Sequence, residues 1–133
     1  MFLIDSSAWI EYLRPQGSKM VKERVREVLE KESAVSCGIV VVEILRGARD
    51  EKTYQVLKET LLSLPQLPID DTVSERAAQY GFLLDRKGKT VPTTDLLIAS
   101  AAYGQAIVLH VDHDFETIGS IVSLQQERIG APA

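Results

Sequence analysis

Cysteine is nearly absent from this 133-residue chain, with Cys37 the only one. No internal disulfide can form, which fits a reducing cytosol. Long apolar runs are missing too: none approaches the ~20 residues that span a membrane, and no basic segment leads into one. The chain is therefore expected to be soluble, cytoplasmic and unprocessed. Positive charge is scarce, with 15 Lys and Arg against 19 Asp and Glu and a net charge of −4. That balance argues against a protein that holds nucleic acid by charge alone, which is normally basic. It does not argue against one whose acids gather cations, because bound metal reverses the local sign. Internal repeats, low-complexity tracts and linkers are lacking as well. With 45% hydrophobic and 26% charged residues, an ordinary globular mix, the chain reads as one domain over residues 1–133.

What is present is an alternation of short apolar runs and helical patterns. Phe2-Leu3-Ile4 stops at Asp5, which predicts a buried strand followed by a helix to about Arg14, capped by Ser6 or Ser7 and broken at Pro15-Gln16-Gly17. Val21, Val25, Val28 and Leu29 predict an amphipathic helix over Ser18–Glu32, and Ala34-Val35-Ser36 a second strand. Ile39 to Arg49 carries a branched run that favours strand locally. Helix is the better reading, because Glu43 would sit in the middle of that strand. A helix over Thr53–Leu64 and a Pro-flanked edge strand up to Ile69 come next. Asp70-Asp71-Thr72 caps a helix to about Lys87, with Ala77, Ala78, Tyr80, Leu83 and Leu84 inward, and Gly88 ends it. Thr93 or Thr94 caps a helix through Gly104, followed by a strand over Ala106–Leu109. Asp112 to Phe115 reads as a loop or single turn, and Ile121–Leu124 as the last strand. The expected fold is three-layer α/β/α around a mainly parallel sheet of four to five strands.

Five acids stand out against this frame. Asp5 follows a strand, where ligands sit in open α/β sheets, although a helix cap explains it equally well. Glu43 shares a helix face with Ile39, Val40 and Gly47, and burying an unpaired charge is costly unless a base such as Arg46 joins it. Asp95 lies in the first turn of a helix apolar nearly all round, which makes that helix central. Asp112 repeats the strand-end position of Asp5, and Asp114 follows; a plain turn explains either. His110 and His113 beside them lack the spacing of a closed zinc site. Carboxylates converging without a lysine repel one another unless cations join them, and hard oxygen ligands suit Mg²⁺ or Mn²⁺.

The segments Met1 to Arg14, Val42 to Ala48, Thr94 to Ala99 and Leu109 to Phe115 together resemble a PIN-domain protein, and most nearly the VapC-type toxins of bacterial toxin–antitoxin pairs. The resemblance covers essentially the whole chain. It implies an endoribonuclease using one or two Mg²⁺ or Mn²⁺ ions, with Asp5, Glu43, Asp95 and Asp112 as the acidic set and Asp114 as companion or substitute. Asp5, Asp95, Asp112 and Asp114 would hold metal, with the Ser6 and Thr94 hydroxyls in support. His110 stands where many relatives carry Thr. The implied chemistry is attack of an activated water on an RNA phosphate, leaving 5′-phosphate and 3′-hydroxyl ends. The resemblance further implies a transfer or ribosomal RNA substrate, a VapB-like antitoxin, and a homodimer that becomes a heterotetramer or larger with it. Arg14, Arg46, Arg49, Arg86, Lys87 and Lys89 are candidates for holding the RNA backbone, though each alone also reads as a solvated charge at a helix end.

Two other classes compete. One is a non-catalytic PIN-like module that binds RNA or protein. The other treats Asp5 as a phosphoacceptor or phosphatase nucleophile. Such a phosphatase wants a second Asp two residues on, where Ser7 stands, and a receiver domain wants its phosphoacceptor away from the start of the chain.

Overall fold

The computed structural model describes residues 1–130. Five short strands, β1 (Phe2–Ile4), β2 (Ala34–Cys37), β3 (Gln66–Leu67), β4 (Ile107–His110) and β5 (Gln126–Arg128), form one sheet in the order β3-β2-β1-β4-β5. Every pairing is parallel, with Leu3 opposite both Val35 and Val108. Seven helices connect and cover them: α1 (Ser6–Leu13), α2 (Lys19–Glu30), α3 (Gly38–Arg46), α4 (Glu51–Leu62), α5 (Asp71–Arg86), α6 (Thr93–Ala102) and α7 (His113–Gly119). Among the described residues none of these helices is long and apolar enough to cross a membrane.

The central strands read as unbroken apolar runs because both faces are covered. Leu3, Ile4, Val35, Val108 and Leu109 are all shut off from solvent. The expected α/β/α architecture is observed, and the helical reading of the Ile39 segment holds. Burial explains that outcome: Val40, Ile44 and Leu45 enter the core at helical spacing while Val42 stays out. Strand α-carbons alone would have placed alternate residues inside.

Several expectations are corrected. The first helix is capped by Asp5 itself, whose side chain accepts from the Ser7 N–H, rather than by Ser6 or Ser7. The α6 helix has Pro92 at its N-cap and no side-chain cap, so neither Thr93 nor Thr94 serves. Asp50 caps α4, which starts at Glu51, two residues before Thr53. Residues 113–119 form a full helix capped by Asp112, not a loop or single turn, and the last strand is Gln126–Arg128. Ile121 and Val122 lie in the turn that leaves α7, where the apolar run packs on the core without pairing. Ala78 and Leu83 point outward; Val73, Ala77, Tyr80 and Leu84 form the inward stripe of α5.

The densest helix contact joins α5 to α6. Gly81 permits it, since a Cβ there would lie 2.9 Å from Leu96 Cδ1. Ser100 is fully buried on α6 and ties the pair together: its hydroxyl donates to the Val73 carbonyl (2.8 Å) and accepts from Arg76 Nε (3.1 Å). The central helix is thus held by Leu96 against Gly81 and by the buried Ser100 bonds.

Candidate functional site

In an open parallel sheet, the crevice lies beyond the carboxyl ends of the two strands where the chain's order reverses. Here that point is between β1 and β4: from β1 the chain proceeds to β2 on one side and, later, to β4 on the other. Asp5 follows β1 directly. Asp112 follows β4 by two residues. The two acids read from sequence as strand-end residues therefore flank the switch point, and the Asp5 N–H bonds the Leu109 carbonyl across it (2.9 Å).

Asp5 is 3% exposed and divides its two oxygens. Oδ2 caps α1, accepting from the Ser7 N–H (3.0 Å) and the Ser7 hydroxyl (2.6 Å). Oδ1 is buried with no hydrogen-bond partner. A helix cap accounts for the first oxygen and leaves the second unexplained, since a buried carboxylate oxygen without a partner is costly. Burial pushes the Asp5 carboxyl above its usual range, and the nearby Glu43 charge adds to the shift against the Ser7 bonds.

Three further carboxylates meet beside it. Asp95, Asp112 and Asp114 each offer an oxygen within 4.8 Å of the others, which is close enough for one cation to bridge. The Asp95 carboxyl is pushed up to about 8, chiefly by burial, then by the charges of Asp5 and Asp112 and by a hydrogen bond with Asp114. Asp112 Oδ1 accepts from the Asp114 N–H (2.9 Å), so the first acid of that pair orients the second. Among the described residues no Lys or Arg forms a salt bridge or hydrogen bond with Asp5, Glu43, Asp95, Asp112 or Asp114. The donor set is all oxygen: three converging carboxylates, with the buried Asp5 near enough for its charge to raise Asp95 and with one of its own oxygens unpartnered. That is the chemistry of a hard divalent-cation site.

Glu43 is brought to the same place by a different route. It is half-buried on α3 and its Oε1 accepts from the Ser6 hydroxyl (2.7 Å). The Arg46 pairing weighed from sequence does not form; Ser6 is the partner instead. Thr94 is half-buried at the start of α6, and its hydroxyl makes none of the site's hydrogen bonds among the described residues. Ser7, read from the sequence only as a candidate helix cap, belongs to the site. Its hydroxyl donates to Asp5 and accepts from the Val111 N–H (3.1 Å), so it pins the β4–α7 turn to α1. The Asp-x-Ser spacing at a helix start is the signal that could have revealed it.

The basic candidates are spread out. Arg14 pairs with Glu11 and Arg49 with Asp50 (3.6 Å), while Arg86 stacks on Phe82 (4.7 Å). Arg46 and Lys87 are exposed at the ends of α3 and α5. Lys89 donates to the Ser120 hydroxyl (3.1 Å) and shares an open cleft with Asp114, His113 and Thr117. His113 itself pairs with Glu116 (3.5 Å) and faces solvent. On the other flank Trp9 belongs to the core, whereas Ile10 and Leu13 are exposed and line a groove with Ile44, Leu57 and the edge of Glu43.

The fold and the acids first define a class: a parallel α/β/α sheet whose switch point carries a carboxylate cluster. A family model described as the PIN domain matches residues 2–120, and the chain belongs to that family. It is 41% identical over 130 residues to ribonuclease VapC11 of Mycobacterium tuberculosis, covering 94% of this chain and 96% of that protein. Ribonuclease VapC21 of the same organism is 31% identical over 137 residues, covering 98% and 95%. Among solved structures, the VapBC2 complex of Rickettsia felis bound to a promoter DNA fragment matches with a TM-score of 0.75 at 18% identity, covering 96% of this chain and 97% of that one.

Proposed function

We propose that this protein is a VapC-type toxin, an endoribonuclease that needs Mg²⁺ or Mn²⁺ and is restrained by a VapB-like antitoxin. One observation carries the reading. Asp95, Asp112 and Asp114 offer oxygens within 4.8 Å of one another, and the charge of Asp5, whose Oδ1 is buried without a partner, reaches Asp95, with no basic side chain among the described residues bonded to any of them. The names of the relatives at 41% and 31% identity support ribonuclease chemistry on the same chain length.

Asp5, Asp95, Asp112 and Asp114 would hold one or two cations. A divalent ion bound there supplies an activated water and charge stabilisation for the leaving oxygen of a phosphodiester. The residues do the rest. Glu43, fixed by Ser6, stands at the edge of the cluster, where it can take a proton from the attacking water. Asp95, which the fold alone would leave protonated near neutral pH, gives up its proton when positive charge arrives. Ser7 keeps the strand-end turns in register. Lys89, beside Asp114, is the best placed of the basic candidates to hold an RNA phosphate, with Arg14, Arg46, Arg86 and Lys87 further out.

The proposed substrate is a structured RNA such as transfer or ribosomal RNA, as the family resemblance implies, cut to 5′-phosphate and 3′-hydroxyl ends. The groove of Ile10, Leu13, Ile44 and Leu57, opening beside Glu43, suits an antitoxin segment with an apolar face. A homodimer, and a heterotetramer or larger assembly with the antitoxin, completes the proposal. The test is cleavage of total RNA with Mg²⁺, Mn²⁺ or EDTA, followed by sequencing of the ends. A non-catalytic module would bind metal and RNA without producing ends at all.

A further inference from the structure

A short buried relay next to the acids is capped by two backbone groups of opposite kind. At one end the Asp112 N–H donates to His110 Nδ1 (3.0 Å); at the other, the Phe115 carbonyl accepts from Gln126 Nε2 (2.8 Å). A backbone N–H can only donate and a carbonyl can only accept. The Gln126 amide must therefore turn its oxygen to His110 Nε2, 2.8 Å away, and that nitrogen must carry the ring proton. The imidazole is fully buried and packs on the Phe115 ring at 4.9 Å between centroids. Every proton along the chain is placed by its ends.

Glycine makes room for this arrangement. A Cβ at Gly119, the last residue of α7, would lie 2.3 Å from the Gln126 amide nitrogen. The nearest obstacle is the tip of a flexible side chain, so Gly119→Ala would displace the amide while leaving the backbone intact.

The relay ends on the residue where the cluster begins. Ser7 holds the Val111 N–H and His110 holds the next one, Asp112. Asp112 in turn accepts from the Asp114 N–H. We propose that His110 and Gln126 are positioning residues: the Nε2–H imidazole, held between the Asp112 N–H and the Gln126 oxygen, fixes the Val111–Asp112 peptide and so aims the Asp112 and Asp114 carboxylates at a shared cation. This rests on the metal-dependent reading above. Partners of this kind, one step behind the ligands, typically change metal affinity by about 10–100-fold. A histidine that only filled the core would tolerate either tautomer, and its surroundings would affect stability alone.

The experiment compares the full-length wild type with Gln126→Leu and Gly119→Ala. Mn²⁺ binding is titrated by electron paramagnetic resonance, and the His110 ring nitrogens are read by ¹⁵N NMR in metal-free protein. The wild type is expected to show only the Nε2–H form. Both variants are expected to shift the Nε2 signal, as its hydrogen bond is lost, and to bind Mn²⁺ about tenfold more weakly while remaining folded. Should Gln126→Leu fail to fold, Gly119→Ala carries the test. Folded variants that bind Mn²⁺ within about twofold of the wild type, or an Nδ1–H form in the wild type, would overturn the inference. A wild type that binds no Mn²⁺ at all would instead overturn the metal reading on which it stands.

Discussion

The Ser6 hydroxyl donates to Glu43 Oε1 over 2.7 Å, joining the start of α1 to the middle of α3 across 37 residues of sequence. Ser6→Ala removes the donor and leaves Glu43 free to swing. The rate of RNA cleavage is expected to fall about tenfold, as for other groups that orient a site residue. The midpoint of urea unfolding should barely move, because Glu43 is half-buried and water can replace the bond. A rate equal to the wild type would remove Glu43 from the mechanism.

Asp95 gives a test in which function and stability move in opposite directions. Its carboxyl lies near 8 in the folded protein, raised by burial and by neighbouring acids. Well below its ordinary value of 3.8 it is protonated in both folded and unfolded chains and costs nothing. As pH rises toward 8 the unfolded chain ionises freely and the folded one resists, so this part of the stability is lost. Metal-free protein should therefore lose stability as pH rises through this window. Asp95→Asn should remove that loss, raise Tm at pH 8 in EDTA by about 5 °C, and abolish cleavage. A lower Tm for the variant would contradict the assignment.

Ser7→Ala tests the pin between α1 and the β4–α7 turn. It deprives Asp5 Oδ2 of its 2.6 Å donor and the Val111 N–H of its acceptor. Denaturant unfolding should show a loss of about 1–2 kcal/mol, the usual cost of an unsatisfied, partly buried donor. No change would mean that solvent satisfies both groups.

Lys89 touches Ser120 and lines the cleft shared with Asp114. If it meets an RNA phosphate, Lys89→Ala should raise KM several-fold with kcat nearly unchanged, and lower the salt dependence of RNA binding by about one contact. The same substitution at Arg49, which pairs with Asp50, should leave both alone.

The sequence displayed the architecture and the acids more clearly than their connections. The apolar runs ending at Asp5 and near Asp112 were legible because a strand covered on both faces leaves a continuous pattern. The acid on α6 stood out because Asp95 is the one charge on a helix of Ile, Leu, Ala and Ser. The Ile121–Leu124 run misled, since an apolar stretch packed on a core looks the same whether or not its backbone pairs. The strand proper, Gln126–Arg128, carries three polar residues because it is the sheet's edge. The Ser6–Glu43, Ser7–Val111 and His110–Gln126 bonds join residues 37, 104 and 16 positions apart, a span local periodicity does not register.

The most direct test is cleavage of a structured RNA by purified wild-type protein, free of antitoxin, in Mg²⁺, in Mn²⁺ and in EDTA, beside Asp95→Asn. The account expects 5′-phosphate and 3′-hydroxyl ends with either metal, none in EDTA, restoration when metal is returned, and none from Asp95→Asn under any condition. Cleavage that persists in EDTA, or an Asp95→Asn variant as active as the wild type, would contradict it.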